Sequence, residues 1–161
     1  MHVAHVLRKY HPAEWGGTET AMHRLVEGLC AHGVDSIVYH PRRPAHGANH
    51  SRPRDPLAEL DVTIEPFDAF LPIWGISVQQ RKQMLAVGGN LMSFELPALL
   101  ESEPDLDVMH THTLGRLGGI ALTVAKRRRI PFVVTVHGGV LDLPETLKRD
   151  LHQRHGGLEW G

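Results

Sequence analysis

Apolar and polar positions alternate in blocks along this chain, and the clearest blocks fall between residues 106 and 139. A short apolar strand is predicted from Asp107 to His110. A helix is predicted from Gly115 to Arg128, because apolar residues recur there at helical spacing. They are Leu117, Ile120, Ala121, Val124 and Ala125. Pro131 marks the end of this helix, and the β-branched run from Phe132 to Val136 predicts a strand buried on both faces.

The N-terminal region repeats the alternation. A strand is predicted from His2 to Leu7, and a helix begins in the segment Gly16-Gly17-Thr18-Glu19, with Thr18 as its N-cap. His32-Gly33 ends that helix, since glycine is favoured just beyond a helix C-terminus. A second strand follows from Val34 to His40.

The middle of the chain is less regular. Pro41 to Pro56 contains four prolines and four arginines without apolar periodicity, which predicts a mobile loop. The remaining predictions are a strand at Val62–Pro66, an irregular stretch with exposed aromatics at Phe67–Gly75, and helices at Val78–Val87, Ser93–Ser102 and Leu143–His152. Strands that alternate with helices indicate an α/β fold with an open parallel sheet, helices on both faces and strand order 3-2-1-4-5.

Composition narrows the functional classes. The 161 residues are 42% hydrophobic, enough for one domain with a core, and the formal charge of −1 argues against nucleic acid as a partner. The single cysteine, Cys30, excludes an internal disulfide framework and is interpreted as a buried thiol. The chain shows neither a signal peptide nor an apolar run long enough to span a bilayer, so a cytoplasmic protein is predicted.

Polar residues follow the two best-defined strands. His110-Thr111-His112-Thr113 follows one, and His137-Gly138-Gly139 follows the other. Because ligands bind at the carboxyl ends of strands in open α/β sheets, both clusters are expected at one cleft. The histidines are compatible with a metal triad, a general base or groups that hydrogen-bond a sugar. Without an acidic or cysteine partner at a recognisable spacing, no metal is predicted. His110 is interpreted as structural and His137 as the best functional candidate.

Two further features suggest an anionic ligand. The Gly16-Gly17 pair precedes a helix, where small residues and free amides admit a phosphate, although neither dinucleotide nor Walker motif is present. Arg8 and Lys9 follow the first strand and are placed to meet an anion, or else are simply solvated.

Four pieces of sequence, in order, resemble one known family. They are the strand HVAHVL, the segment GGTE before an amphipathic helix, the segment LDVMHTH, and IPFVVTVHGG. From residue 1 to about residue 145 the chain resembles the N-terminal half of family 4 glycosyltransferases, retaining enzymes with the two-domain GT-B fold. The resemblance implies a Rossmann-like domain that forms one half of a GT-B architecture.

The resemblance also implies a reaction and site residues. Such enzymes move a sugar from a nucleotide-diphosphate sugar to a sugar, lipid or small-molecule acceptor, with no cofactor beyond the donor. Gly16 and Gly17 would approach the donor diphosphate, and His137 would line the reaction centre as the catalytic residue. His112, Thr113 and Gly138 would line the acceptor side. Any peripheral membrane contact would come only through the acceptor.

The family's second domain, which holds the nucleotide and a pair of glutamates, is not recognisable in residues 1–161. The expectation is therefore a single, incomplete N-terminal domain that transfers no sugar alone, because half of the transition-state binding is missing. The strand at Phe132–Val136 would also form an uncovered sheet edge and promote a homo-oligomer.

Two other functional classes remain open from the sequence. One is a non-catalytic Rossmann-like binding or regulatory module that keeps the shape of the fold. The other is a metal-dependent hydrolase built on the histidines. Metal analysis of the purified protein separates the hydrolase from the transferase.

Overall fold

The computed structural model describes residues 1–12, 14–42, 55–86 and 88–137, and the backbone of residues 158–159. The elements follow in chain order: β1 (His2–Val6), α1 (Gly17–Ala31), β2 (Asp35–Pro41), a 3-10 turn (Pro56–Glu59), β3 (Val62–Phe67), β4 (Ile73–Trp74), α2 (Val78–Ala86), α3 (Leu96–Ser102), β5 (Val108–Thr111), α4 (Gly115–Arg128), β6 (Phe132–Val134) and β7 (Leu158–Glu159).

Five strands form a parallel sheet in the order β3-β2-β1-β5-β6. The short strand β4 pairs antiparallel with β7 in a separate ribbon. With β4 set aside, the sheet strands taken in chain order have the arrangement 3-2-1-4-5. The predicted α/β class and strand order are therefore confirmed.

The two faces of the sheet bury different apolar clusters. Ala4, Val6 and Met109 point to one face and pack with the inward residues of α3 and α4. Leu7 and Val38 point to the other face and pack with α1, as shown by their cluster with Met22 and Val26. Helices thus cover both faces, as predicted, because successive strand residues point to opposite sides of a sheet.

The N-terminus of α1 differs from the prediction. Gly16, not Thr18, is the N-cap, and the helix begins at Gly17. The side chain of Glu19 explains the difference, because its Oε2 atom accepts a hydrogen bond from the Gly16 backbone N–H at 3.1 Å. A carboxylate in the first turn thereby satisfies the N–H of the N-cap residue, as the glutamate of a capping box does.

Two predictions of burial in the strands were wrong. The last strand of the sheet was expected to be buried on both faces, but Val133 is 45% exposed and Val134 is 39% exposed. Among the described residues, β6 pairs with β5 alone, so it lies at the sheet edge. Phe67 was placed in an exposed aromatic stretch, whereas it is fully buried because β3 extends to include it.

Other boundaries agree within a few residues, and α4 matches its predicted range. The third predicted helix is shorter, beginning at Leu96. Cys30, expected to be buried, is only half-buried. Most of the loop between Pro41 and Pro56, the helix at Leu143–His152 and Gly138 lie outside the described residues.

In the described part of the chain, no helix combines the length and apolar character that crossing a bilayer requires.

Candidate functional site

A cavity of about 170 Å³ lies at the carboxyl ends of the central strands. Its lining comes from the loop after β1, the start of α1, the loop after β5 and the segment after β6. The lining residues are Arg8, Thr18, His112, Thr113, Leu114, Thr135, Val136 and His137. This strand-end cavity occupies the place where open α/β sheets bind their ligands.

Four imidazoles lie beside one another at this cavity. His5 of β1 is in register with His110 of β5, so both point to the face covered by α1, and His112 lies two residues further on. The ring centroids of His110 and His112 are 4.2 Å apart, and those of His5 and His110 are 5.2 Å apart. His137 stacks on His112 at 5.2 Å.

Hydrogen bonds link these rings. His112 Nδ1 lies 2.9 Å from His137 Nε2, and His112 Nε2 lies 3.4 Å from His5 Nδ1. His110 Nε2 pairs instead with the Thr135 hydroxyl at 2.8 Å. We call the hydrogen-bonded series of side chains His137–His112–His5 the histidine chain. It runs from the cavity wall into the core, where His5 is fully buried.

Three hydrogen bonds hold the loop after β5. The His112 backbone N–H donates to the Val6 carbonyl at 2.9 Å and extends the parallel ladder by one residue. The Thr111 hydroxyl donates to the Thr113 carbonyl at 2.9 Å, and the Thr113 N–H donates back to that hydroxyl at 3.2 Å. These hydrogen bonds fix the turn that carries His112 and Thr113.

Burial makes the imidazoles poor bases. Loss of solvation is the main cause that lowers the pKa of His5 to about 3, and the neighbouring His110 lowers it further. Burial, followed by the other three rings, lowers the pKa of His112 to about 2. The pKa of His110 is also lowered, by burial and then by His137. At neutral pH these rings are uncharged.

Opposing effects act on the pKa of His137. Partial burial lowers its pKa, the carboxylate of Glu19 acts in the opposite direction, and the cation of Arg8 lowers it again. Glu19 is only 6% exposed, which is unusual for an acid on a helix. The first turn of α1 and the loop after β1 therefore both contribute charge to the surroundings of His137.

The structure brings together His112, Thr113 and His137, three of the residues predicted from sequence. Gly16 and Gly17 are adjacent in sequence to the lining residue Thr18 but are not themselves in the lining. Of the two basic residues after the first strand, Arg8 lines the cavity, whereas Lys9 pairs with Glu14 at 2.7 Å. The roles of all these residues remain predictions.

Sequence reasoning missed His5, Glu19 and Thr135 as site residues. His5 lies inside an apolar strand, and only its register with His110 shows that it belongs to the cluster. The available signal was a histidine on the same strand face as Val3 and Leu7, in a strand predicted to neighbour the LDVMHTH strand.

His110, which was interpreted as structural, is buried but also contacts the site, because its ring lies tilted against that of His112. Together with His5 and His112 it offers a set of ring nitrogens within 4.8 Å of one another, a spacing compatible with a metal ion. Neutral imidazoles are suitable zinc ligands. A metal at this position would have to replace the contact between His5 and His112. The absence of a metal remains a prediction.

A larger groove of about 450 Å³ lies elsewhere, between α3 and α4. Its lining is mainly apolar, with Arg116 and Arg127 at its border, and Arg127 is paired with Glu101 at 2.6 Å. The described residues bring no group of histidines to this groove. The strand-end cavity is therefore the better candidate, because polar groups with shifted pKa values converge there.

Comparison with known families decides the assignment. The model of the glycosyl transferase 4-like domain matches residues 16–156. The chain belongs to this family. The matched range of the glycosyl transferase 4-like model includes the start of α1, the loop after β5 and His137, whereas Arg8 and His5 precede it. No curated protein matches the chain.

Proposed function

We propose that this domain is the acceptor-side half of a retaining glycosyltransferase of the GT-B architecture, which uses a nucleotide-diphosphate sugar as donor. The observation that carries the proposal is the strand-end cavity, where neutral imidazoles, a helix N-terminus and Arg8 converge in a chain of the glycosyl transferase 4-like family. Family membership supports sugar transfer in general, and the proposal adds the donor class and the roles of the residues.

The small volume of the cavity supports a binding site that a second domain completes. Pockets that bury most of a small ligand have volumes of about 300–1,000 Å³. The described residues enclose about 170 Å³, which is room for a sugar or a phosphate but not for a whole nucleotide sugar. A second wall, supplied by a nucleotide-binding domain, would complete the site around the donor.

Each lining element has a proposed role. Gly16 and Gly17 let the donor diphosphate approach the backbone at the α1 N-terminus, where the Gly17 amide and the partial positive charge of the helix bind it. The Gly16 N–H is already bonded to Glu19, so Gly16 contributes its small size. Arg8 neutralises part of its charge. His137 contacts the reacting sugar, and His112 and Thr113 form the acceptor wall. Gly138, the third proposed acceptor contact, lies outside the described residues.

Gly17→Ala is expected to weaken donor binding without harming the fold. A Cβ atom at Gly17 meets no atom within 4 Å, so the empty domain accommodates it. A diphosphate lying against the backbone would meet the new methyl group, and the affinity for a nucleotide-diphosphate sugar should fall by about tenfold, or 1.4 kcal/mol. NMR chemical-shift titration with such sugars measures the effect.

Gly28→Ala is the matched control, because Gly28 is exposed on the same helix and a Cβ atom added there also meets no atom within 4 Å. It should leave the affinity unchanged. Equal affinities of the Gly17→Ala and Gly28→Ala variants would remove the phosphate role of this turn. No response of this domain to any nucleotide-diphosphate sugar would contradict a donor contact at Gly16 and Gly17.

Self-association through β6 is expected at high concentration, because its exposed backbone edge can pair with a second copy. Val134→Lys places a charge on that edge and should lower the association constant measured by sedimentation equilibrium. Val78→Lys, at a valine of α2 that is 73% exposed, is the control and should change nothing. A wild-type chain that stays monomeric at millimolar concentration would contradict this expectation.

A further inference from the structure

We propose that His112 and His5 are positioning residues that fix the tautomer of His137, so that His137 presents an Nδ1–H donor to the strand-end cavity. This inference rests on the proposed function for its ligand, an oxygen of a sugar or phosphate. Its structural part stands on the histidine chain alone.

The contacts of the histidine chain restrict where protons can lie. Each neutral imidazole carries one N–H and one bare nitrogen. In the contact between His137 Nε2 and His112 Nδ1, at 2.9 Å, one nitrogen must donate and the other accept. The same holds between His112 Nε2 and His5 Nδ1, at 3.4 Å. Because His112 takes part in both contacts with a single proton, the two choices are coupled.

Two arrangements satisfy both contacts. In the first, His112 Nδ1–H donates to His137 Nε2, and His5 Nδ1–H donates to His112 Nε2. His137 then carries its proton on Nδ1, and His5 Nε2 is bare. In the second arrangement all donors reverse. His137 carries its proton on Nε2, and the proton of His5 is then also on Nε2.

His5, at the inner end of the histidine chain, selects between these arrangements. His5 Nε2 is buried and has no hydrogen-bond partner among the described residues. A buried N–H without an acceptor is rarer in proteins than a buried acceptor without a donor, and leaving it unpaired is unfavourable. The second arrangement places an N–H at this position, whereas the first leaves only a lone pair there. The first arrangement is therefore the more stable one.

The selected arrangement determines where His137, at the outer end of the histidine chain, carries its proton. The Nε2 atom of His137 is occupied by His112, and its Nδ1 atom makes no hydrogen bond to the described part of the chain. In the selected arrangement that free position is an N–H. His137 consequently donates a hydrogen bond to a ligand oxygen and does not remove a proton from a hydroxyl group.

His110 provides a built-in control, because it lies in the same cluster but outside the histidine chain. Its Nε2 pairs with Thr135, and its ring lies tilted against the rings of His112 and His5 without a hydrogen bond to either. His110→Phe should therefore leave the tautomer of His137 unchanged, although it replaces a buried imidazole of the same cluster by the same ring as the other two variants do.

Long-range ¹H–¹⁵N NMR correlation of ¹⁵N-histidine protein at about pH 7.5, with a chelator and without ligand, tests the proposal. His137 is expected to show the Nδ1–H pattern. His112→Phe should move it toward the Nε2–H form that isolated imidazole side chains prefer, His5→Phe should do so in part, and His110→Phe should not. Because no ligand is present, the result is independent of whether the proposed transferase function holds.

An Nε2–H pattern for His137 in the wild-type protein would overturn the proposal, and this result does not depend on the variants folding. So would a pattern that stays unchanged in a folded His112→Phe protein. A stoichiometric metal ion on His5 or His112, detected by metal analysis before chelation, would overturn it as well, since the ring nitrogens would then be ligands.

Discussion

Gly118→Ala is expected to lower the free energy of unfolding by about 1–3 kcal/mol, although alanine is the better helix former. A Cβ atom at Gly118 would lie 2.3 Å from the Thr113 carbonyl oxygen and 3.7 Å from the Thr111 hydroxyl oxygen. The first of these distances is far shorter than van der Waals contact allows. Either α4 moves outward or the turn that places His112 and Thr113 opens. Chemical denaturation measures the loss.

Gly119→Ala separates this contact from helix propensity. Gly119 is the next residue of α4, is exposed, and has no atom within 4 Å of a Cβ placed on it. Alanine there should raise the free energy of unfolding by about 0.5–1 kcal/mol. If both variants were stabilised alike, the close approach of α4 to the Thr113 carbonyl would be wrong. Histidine resonances of Gly118→Ala should also shift, because the loop after β5 moves.

Acidification from about pH 7.5 to about pH 5 should destabilise the fold by up to about 4 kcal/mol through His5 and His112. In the unfolded chain each ring has a pKa near 6.5 and takes up a proton as the pH falls, whereas in the folded chain their pKa values are about 3 and about 2. The unfolded state therefore binds more protons between pH 6.5 and about 3. The contribution of these two rings to stability is fully present above pH 6.5 and is lost as the pH falls through this window.

Denaturant unfolding at several pH values gives the slope of the free energy of unfolding against pH. His5→Phe should remove about half of the contribution of the pair, whatever its effect on stability at neutral pH. His40, His110 and His137, whose pKa values are also lowered, add a dependence of the same sign in all variants. The control is His32→Gln, because His32 is exposed at the end of α1. A slope that is the same in wild type and His5→Phe would mean that His5 is not buried as a neutral ring.

The fold was predictable because its elements are long or strongly periodic. Helix α4 repeats apolar residues on one side over its whole length, so both its ends were predicted correctly. The strand order followed from right-handed crossovers between parallel strands. Burial of β6 was predicted less well, because a β-branched run is the same in a central and in an edge strand. Only the sheet order shows that Val133 and Val134 lack a neighbour on one side among the described strands.

The candidate site was predictable only in part, for a similar reason. His112 and His137 could be found because they follow recognisable strands and precede small or hydroxyl residues. His5 could not, because its importance comes from alignment with His110 across two strands that are distant in sequence. Glu19 was assigned to its helix alone, since its effect on His137 depends on how α1 sits over the sheet.

The unequal division of the core has a consequence for how this domain can change. The face under α3 and α4 holds the larger apolar cluster, whereas under α1 the histidines occupy positions that leucine or valine would otherwise fill. The larger apolar cluster and the candidate site thus lie on opposite sides of one sheet. Substitutions in the candidate site beneath α1 can accumulate while the packing under α3 and α4 keeps the domain folded, which gives this architecture room to diversify.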